Sequence, residues 1–200
     1  MKPAKNAIIV FQKNAAKGKV KTRIAKDLGE EKALEIYQYL VNSTHQVLSQ
    51  LKGQDVFLFF SDYTEKVSWQ PQEGTLQLRL QKGKDLGEKM RLAFEEVFSE
   101  GYSKVSIIGT DCPDINIKIL NDAMEKLEEY EVVFGPAQDG GYYLLGLKKI
   151  HKGLFDGIPW STEQVLKLSL DYLNSKQISY ELITILSDID TAEDWENYLR

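Results

Sequence analysis

Short, uninterrupted apolar runs alternate along this chain with amphipathic helical stretches, and that alternation constrains the fold more than any other feature. Residues 7–11 read Ala-Ile-Ile-Val-Phe with no polar break, as expected of a strand covered on both faces. Similar runs recur at 55–60, 104–109 and 131–135. Between them lie segments whose apolar residues repeat at helical spacing, such as Leu34, Tyr37, Val41, Leu48 and Leu51. This rhythm predicts a layered α/β domain with a largely parallel sheet. The 200 residues suit one domain, 1–200, with no repeat or linker to divide it.

The detailed expectation follows the runs. After the first strand comes a basic loop to about residue 27, then a long helix over 30–51 ended by Gly53. Strands are predicted over 55–60 and 75–80, the latter alternating and so wet on one face. A helix over 86–98 starts with Asp85 and Glu88 placed as a capping box. A strand over 104–109 and a helix over 117–130 follow, with Asp114 read as that helix's cap. Strands at 131–135 and 141–147, a helix starting at Ser161 with Gln164 as capping partner, and a strand over 180–186 complete the series. Asp190 is read as opening the last helix, with Glu193 as its capping partner.

Composition narrows the function classes. A net charge of −5 argues against a nucleic-acid partner, because such proteins present a basic surface to phosphates. Cys112 is the only cysteine, so no internal disulfide forms, which fits a reducing, cytoplasmic setting. The first apolar run is too short for a signal-peptide core, and no stretch reaches the ~20 residues that span a bilayer. Two histidines, His45 and His151, do not make a zinc cluster, and His45 is read as a surface residue. Neither a Gly-x-Ser-x-Gly elbow nor a GxGxxG fingerprint is present.

Ligands of open α/β sheets bind beyond the carboxyl ends of the strands, so the loops there carry the candidate chemistry. The first holds Lys13, Lys17, Gly18, Lys19, Lys21, Thr22 and Arg23. It is either a phosphate-binding loop or a solvated basic one, and it is not a Walker A sequence. In the second, Asp111 follows a buried strand directly, as a hard-metal carboxylate often does. Cys112 reads as a packed thiol. The third, Asp139-Gly140-Gly141, is a close backbone approach to a ligand or a tight hairpin turn. The fourth holds Asp188 and Asp190, one of which could share a cation with Asp111. The segment 61–74 is expected to border the pocket.

Taken together, Gly18-Lys19-Val20-Lys21-Thr22-Arg23, the 85–90 stretch Asp-Leu-Gly-Glu-Lys-Met, Gly109-Thr110-Asp111-Cys112-Pro113-Asp114, the 135–143 stretch, Trp160-Ser161-Thr162 and Asp188-Ile189-Asp190-Thr191 resemble a bacterial family of GT-A-type glycosyltransferases. That family is similar to the phospholactate and molybdenum-cofactor guanylyltransferases of the nucleotide-diphospho-sugar transferase superfamily. The blocks run in family order over nearly the whole chain. One departure is the start of the first loop, Asn14-Ala15-Ala16-Lys17-Gly18, where the family carries a proline-rich segment.

The resemblance implies a three-layer α/β/α GT-A-like fold with a mostly parallel, mixed sheet. It implies a magnesium- (or manganese-) dependent transferase acting on a nucleoside triphosphate or nucleoside-diphosphate sugar, glycosyl or nucleotidyl, with a small-molecule acceptor. Asp111 and Asp190 would hold the metal. Gly18, Lys19, Lys21, Thr22, Arg23, Gly140 and Gly141 would bind the nucleotide phosphates. Asp111, Lys21 and Asp139 would carry the catalysis. A non-catalytic nucleotide-binding module and a degenerate interaction domain are the competing readings.

Overall fold

The computed structural model describes residues 5–200. Its elements are β1 (Lys5–Gln12), α1 (Thr22–Leu28), α2 (Glu30–Leu48), β2 (Gln54–Phe60), β3 (Leu76–Leu80), α3 (Leu86–Ser99), β4 (Tyr102–Ile108), α4 (Ile117–Glu129), β5 (Val132–Pro136), β6 (Tyr142–Leu147), α5 (Val165–Ser175), β7 (Tyr180–Leu182) and α6 (Ala192–Tyr198), with a short 3₁₀ turn at Lys152–Leu154. The strands form one seven-stranded sheet in the order β3-β2-β1-β4-β6-β5-β7. Only β6 runs against its neighbours, β4 and β5; all other pairs are parallel.

The strand period of two builds the three layers. Ile8 and Val10 of β1, with Val56, Leu58 and Phe60 of β2, face one core with Leu48 of α2 and Leu120, Ala123 and Leu127 of α4. Ala7 and Ile9, with Phe57 and Phe59, face the other core with Phe94 and Val97 of α3 and Leu173 of α5. Successive side chains of a strand point to opposite faces, so an unbroken apolar run is what two cores require.

Several boundaries differ from the sequence expectation. The basic loop does not extend to residue 27: Thr22–Leu28 is helical, and Gly29 (φ 83°) separates it from α2. The seven residues of α1 bury only Ile24, too little apolar periodicity to read. Helix α2 ends at Leu48, before Gly53. Asn116, not Asp114, caps α4, its side chain accepting from the Ile119 N–H at 3.2 Å. Ser161 (φ 64°) lies in a turn, and α5 begins only at Val165 without a capping bond from Gln164. The last capping box is Thr191 with Asp194, one residue on from the expected pair; the Asp190 carboxylate is engaged elsewhere. At α3 the Asp85 side chain does accept from the Glu88 N–H at 2.9 Å, while the Glu88 carboxylate accepts from the Lys84 N–H. No helix among the described residues is long and apolar enough to cross a membrane.

Candidate active site

A cavity of about 510 Å³ opens over the carboxyl ends of β1 and β4 and the start of β6. Its cations come from the first loop and the start of α1: Lys13, Lys19 and Lys21, then Arg23, line it. Its carboxylates come from three: Asp111 after β4, Asp139 in the β5–β6 turn, and Asp188 and Asp190 before α6. Phe11, Met90, Tyr142 and Trp160 add apolar wall.

The backbone sets these groups. The Tyr37 hydroxyl donates to the Lys13 carbonyl at 2.8 Å, tying the first loop to α2. The segment before α6 runs beside the end of β5: Leu186 N–H donates to the Pro136 carbonyl and Gln138 N–H to the Leu186 carbonyl. Tyr143 supports it by donating to the Thr184 carbonyl at 2.8 Å. The Ile189 N–H then donates to the Asp111 carbonyl at 2.9 Å, which brings Asp111, Asp188 and Asp190 to one wall.

Lys21 joins the two sides. Its Nζ lies 2.5 Å from Asp111 Oδ1 and 3.0 Å from Asp190 Oδ1, and its side chain is only 5% exposed. Burial pulls this ammonium down, but the attraction of the two carboxylates outweighs it and the net displacement is upward. Arg23 Nη1 reaches Asp190 Oδ2 at 3.5 Å. Asp188 has no comparable partner among the described residues. Burial, followed by repulsion from Asp111, Asp139 and Asp190, pushes its carboxyl up to about 7. Three carboxyl groups, Asp111, Asp188 and Asp190, are therefore crowded on the wall that Lys21 meets.

That crowding of carboxyl groups bears on metal binding. Among the described residues, no three Asp, Glu, His or Cys side chains are grouped as a ready-made metal shell. Magnesium needs less, since it takes one or two carboxylates with phosphate oxygens and water. Asp111 and Asp190 are hard oxygen donors that already share one cation, the Lys21 ammonium, and each keeps nearly half its side chain open, 46% and 47%. Their chemistry fits such an ion.

Other expected site residues fall into different places. Lys19, Lys21, Thr22, Arg23 and Gly141 line the cavity, whereas Gly18 and Gly140 do not. Gly18 packs beside the Glu30 carboxylate, and Gly140 against the main chain of Glu163. The Asp139-Gly140-Gly141 stretch is the hairpin turn joining antiparallel β5 and β6, closed by Ala137 N–H to the Gly141 carbonyl at 3.0 Å. Asp139 lines the cavity while one of its oxygens accepts the Gly141 N–H at 2.9 Å. No residue of 61–74 borders the cavity; Asn14 instead pins the start of that segment, accepting from Asp62 and Tyr63 N–H groups. His45 is not a surface residue: it is half-buried against Trp69, with Nε2 2.7 Å from Gln12 Oε1. Cys112 is buried, as expected of a packed thiol.

Tyr37 and Trp160 are functional candidates that residue-by-residue reading passes over, whereas Asp188 reads, with Asp190, as one of two carboxylates before the last helix. Tyr37 is indistinguishable from a core position on its helix, and Trp160 shows its place only through Gly87 of α3, on which it packs.

With this geometry in view, comparison with known proteins settles the family. Residues 44–162 match the bacterial family described as "Uncharacterized protein conserved in bacteria (DUF2064)". The chain belongs to this family. The 2-phospho-L-lactate guanylyltransferase of Methanocaldococcus sp. (strain FS406-22) is 29% identical over 178 residues, 88% of this chain and 74% of that protein. A crystal structure of a "putative nucleotide-diphospho-sugar transferase" from Desulfovibrio desulfuricans G20 superposes with a TM-score of 0.87 at 30% identity, over 98% of this chain and 87% of the other. The manganese complex of Rv0371C from Mycobacterium tuberculosis H37Rv shares the fold at a TM-score of 0.58 and 12% identity, over 98% of each chain. The fold is that of the nucleotide-diphospho-sugar transferases, as the sequence blocks implied.

Proposed function

We propose that this protein is a nucleotidyltransferase. It would bind a nucleoside triphosphate in the cavity and move the nucleotidyl group to a small-molecule acceptor, releasing pyrophosphate. One observation carries the reading: the first loop and the start of α1, with four cavity-lining cations between them, deliver a buried lysine directly onto Asp111 and Asp190. Four cations suit a triphosphate better than a diphosphate, and the guanylyltransferase relative favours nucleotidyl over glycosyl transfer.

In this reading Lys13, Lys19 and Arg23 hold the β- and γ-phosphates, arginine as a fork and lysine as a point charge. Lys21 neutralises charge building on the leaving pyrophosphate. Asp111 and Asp190 would hold magnesium or manganese. When bound, such an ion supplies charge neutralisation and Lewis acidity to the phosphate oxygens. Asp139 in the β5–β6 turn and Asp188 before α6 are available to orient the acceptor and take its proton.

The test is a thermal-shift panel of nucleoside triphosphates and sugar nucleotides with and without magnesium, followed by a pyrophosphate-release assay. A ligand at 100 times its Kd stabilises by ~2.7 kcal/mol, a readable shift. The expected result is a magnesium-dependent triphosphate shift that Asp111→Asn abolishes. A shift confined to sugar nucleotides would replace nucleotidyl with glycosyl transfer. Binding without turnover would make the protein a nucleotide-binding module.

A further inference from the structure

Lys21 is held in an uncommon conformation at the junction of the first loop and α1, with φ 45° and ψ 47°, a region few side chains adopt. Its neighbours enforce it. Val20 is buried against Tyr37 and Val41, and Ile24 is buried against Ala33, Ile36 and Leu40 of α2. The Lys19 N–H donates to the Ala16 carbonyl at 3.0 Å, and the Ala25 N–H to the Lys21 carbonyl at 2.9 Å. The side chain is thereby aimed inward onto Asp111 and Asp190. The two carboxylates do not depend on it for their spacing. Ile189 N–H holds the Asp111 carbonyl, and the Asp190 N–H donates to Asp194 Oδ2 at 3.0 Å. The pair is built from other elements, and the lysine fills it.

We propose that Lys21 is an internal counter-ion: it occupies the Asp111–Asp190 pair when no divalent cation is bound, and cation binding displaces its ammonium towards the phosphate end of the same cavity. This deepens the nucleotidyltransferase reading and rests on it. The pair cannot serve both cations fully, because each would lose much of its Coulomb partner to the other. A displaced lysine in this largely buried position needs another anion, since an unpaired buried charge is costly. The triphosphate is that anion. Metal and triphosphate then bind with positive coupling, each favouring the state in which Lys21 has left the carboxylates. The four-carbon stem of lysine, reaching from a fixed backbone, makes the exchange a rotamer change with no movement of the sheet.

The test measures manganese binding by electron paramagnetic resonance, without nucleotide, to the wild type and Lys21→Met. Removing the competing cation is expected to tighten manganese binding by ~10-fold or more, equivalent to ~1.4 kcal/mol. Equal or weaker binding by a folded Lys21→Met overturns the proposal. A second measurement needs no variant: acylation of Lys21 by acetic anhydride, read by peptide mass spectrometry. Lys21 should label slowly alone, several-fold faster with manganese, and slowly again once a nucleoside triphosphate is added. Labelling indifferent to manganese overturns the proposal as well. The outcomes separate the two claims. If manganese binds with triphosphate and Asp111→Asn abolishes it, while Lys21 shows neither effect, only the counter-ion role falls. If the wild type binds no manganese even with triphosphate, the metal-dependent reading falls with it.

Discussion

Replacing Gly140 by alanine should damage this protein far more than the same change one residue later, and the difference can be worked from the coordinates. Gly140 has φ 87°, where a Cβ costs about 1–2 kcal/mol. The added methyl would lie 2.8 Å from both the Cα and the carbonyl carbon of Glu163, and closer still to its carbonyl oxygen. These are backbone atoms, so the clash cannot be relieved by a rotamer change; overpacking of this kind costs about 1–3 kcal/mol. The strain falls on the bonds that seat the 160–165 segment, including Leu166 N–H to the Gly140 carbonyl at 3.0 Å. A total of about 3 kcal/mol follows, or a Tm lower by roughly 6–12 °C for a chain this long. Gly141 has no positive φ, and its nearest neighbour is a side-chain oxygen, Asp139 Oδ1 at 3.1 Å, so Gly141→Ala should cost under about 1 kcal/mol. Urea unfolding followed by tryptophan fluorescence measures both, with Trp160 on the affected segment. If Gly140→Ala lies within about 0.5 kcal/mol of the wild type, or Gly141→Ala is equally harmful, the packing of this turn against residue 163 is wrong.

Three further expectations rest on single groups. Asp188, raised to about 7 by burial and then by Asp111, Asp139 and Asp190, binds its proton more tightly folded than unfolded, where a carboxyl titrates near 3.9. Its contribution is therefore complete below about pH 4 and lost as pH rises through 7. Asp188→Asn should flatten the stability profile across that window and exceed the wild type at pH 8, by at most about 4 kcal/mol; an unchanged slope in urea titrations would sink the assignment. Cys112 is buried, and that burial, with the nearby Asp188 charge next, pushes its thiol up to about 12, so DTNB at pH 8 should label it only as fast as the protein opens; immediate labelling of the native state contradicts its placement. Tyr37→Phe removes the donor to the Lys13 carbonyl and should cost about 1 kcal/mol with the fold retained, while raising the Kd for the triphosphate; unchanged stability and affinity would mean the loop is anchored otherwise.

The strands and their two-faced burial were legible in the runs at 7–11, 55–60, 104–109 and 131–135, because an apolar run reports local burial directly. The helices over 86–98 and 117–130 were legible for the same reason, from residues three and four apart. Short-range signals failed where one residue decides a boundary: Asn116 against Asp114, Thr191 against Asp190, and the brief helix at Thr22–Leu28 hidden in a basic loop. The candidate loops were also visible, as were Lys21, Asp111 and Asp190 as individuals. What no window of sequence contains is their meeting. Lys21 and Asp190 are 169 residues apart in the chain, and they touch because β1 and β4 are neighbours and the end of β5 carries the segment before α6 alongside. The antiparallel insertion of β6 between β4 and β5 likewise decides that Asp139 arrives at the same wall. Periodicity is set by a few adjacent residues and survives in the sequence, whereas the energy of bringing one lysine and four aspartates to a single cavity depends on strand order, which only the folded sheet specifies.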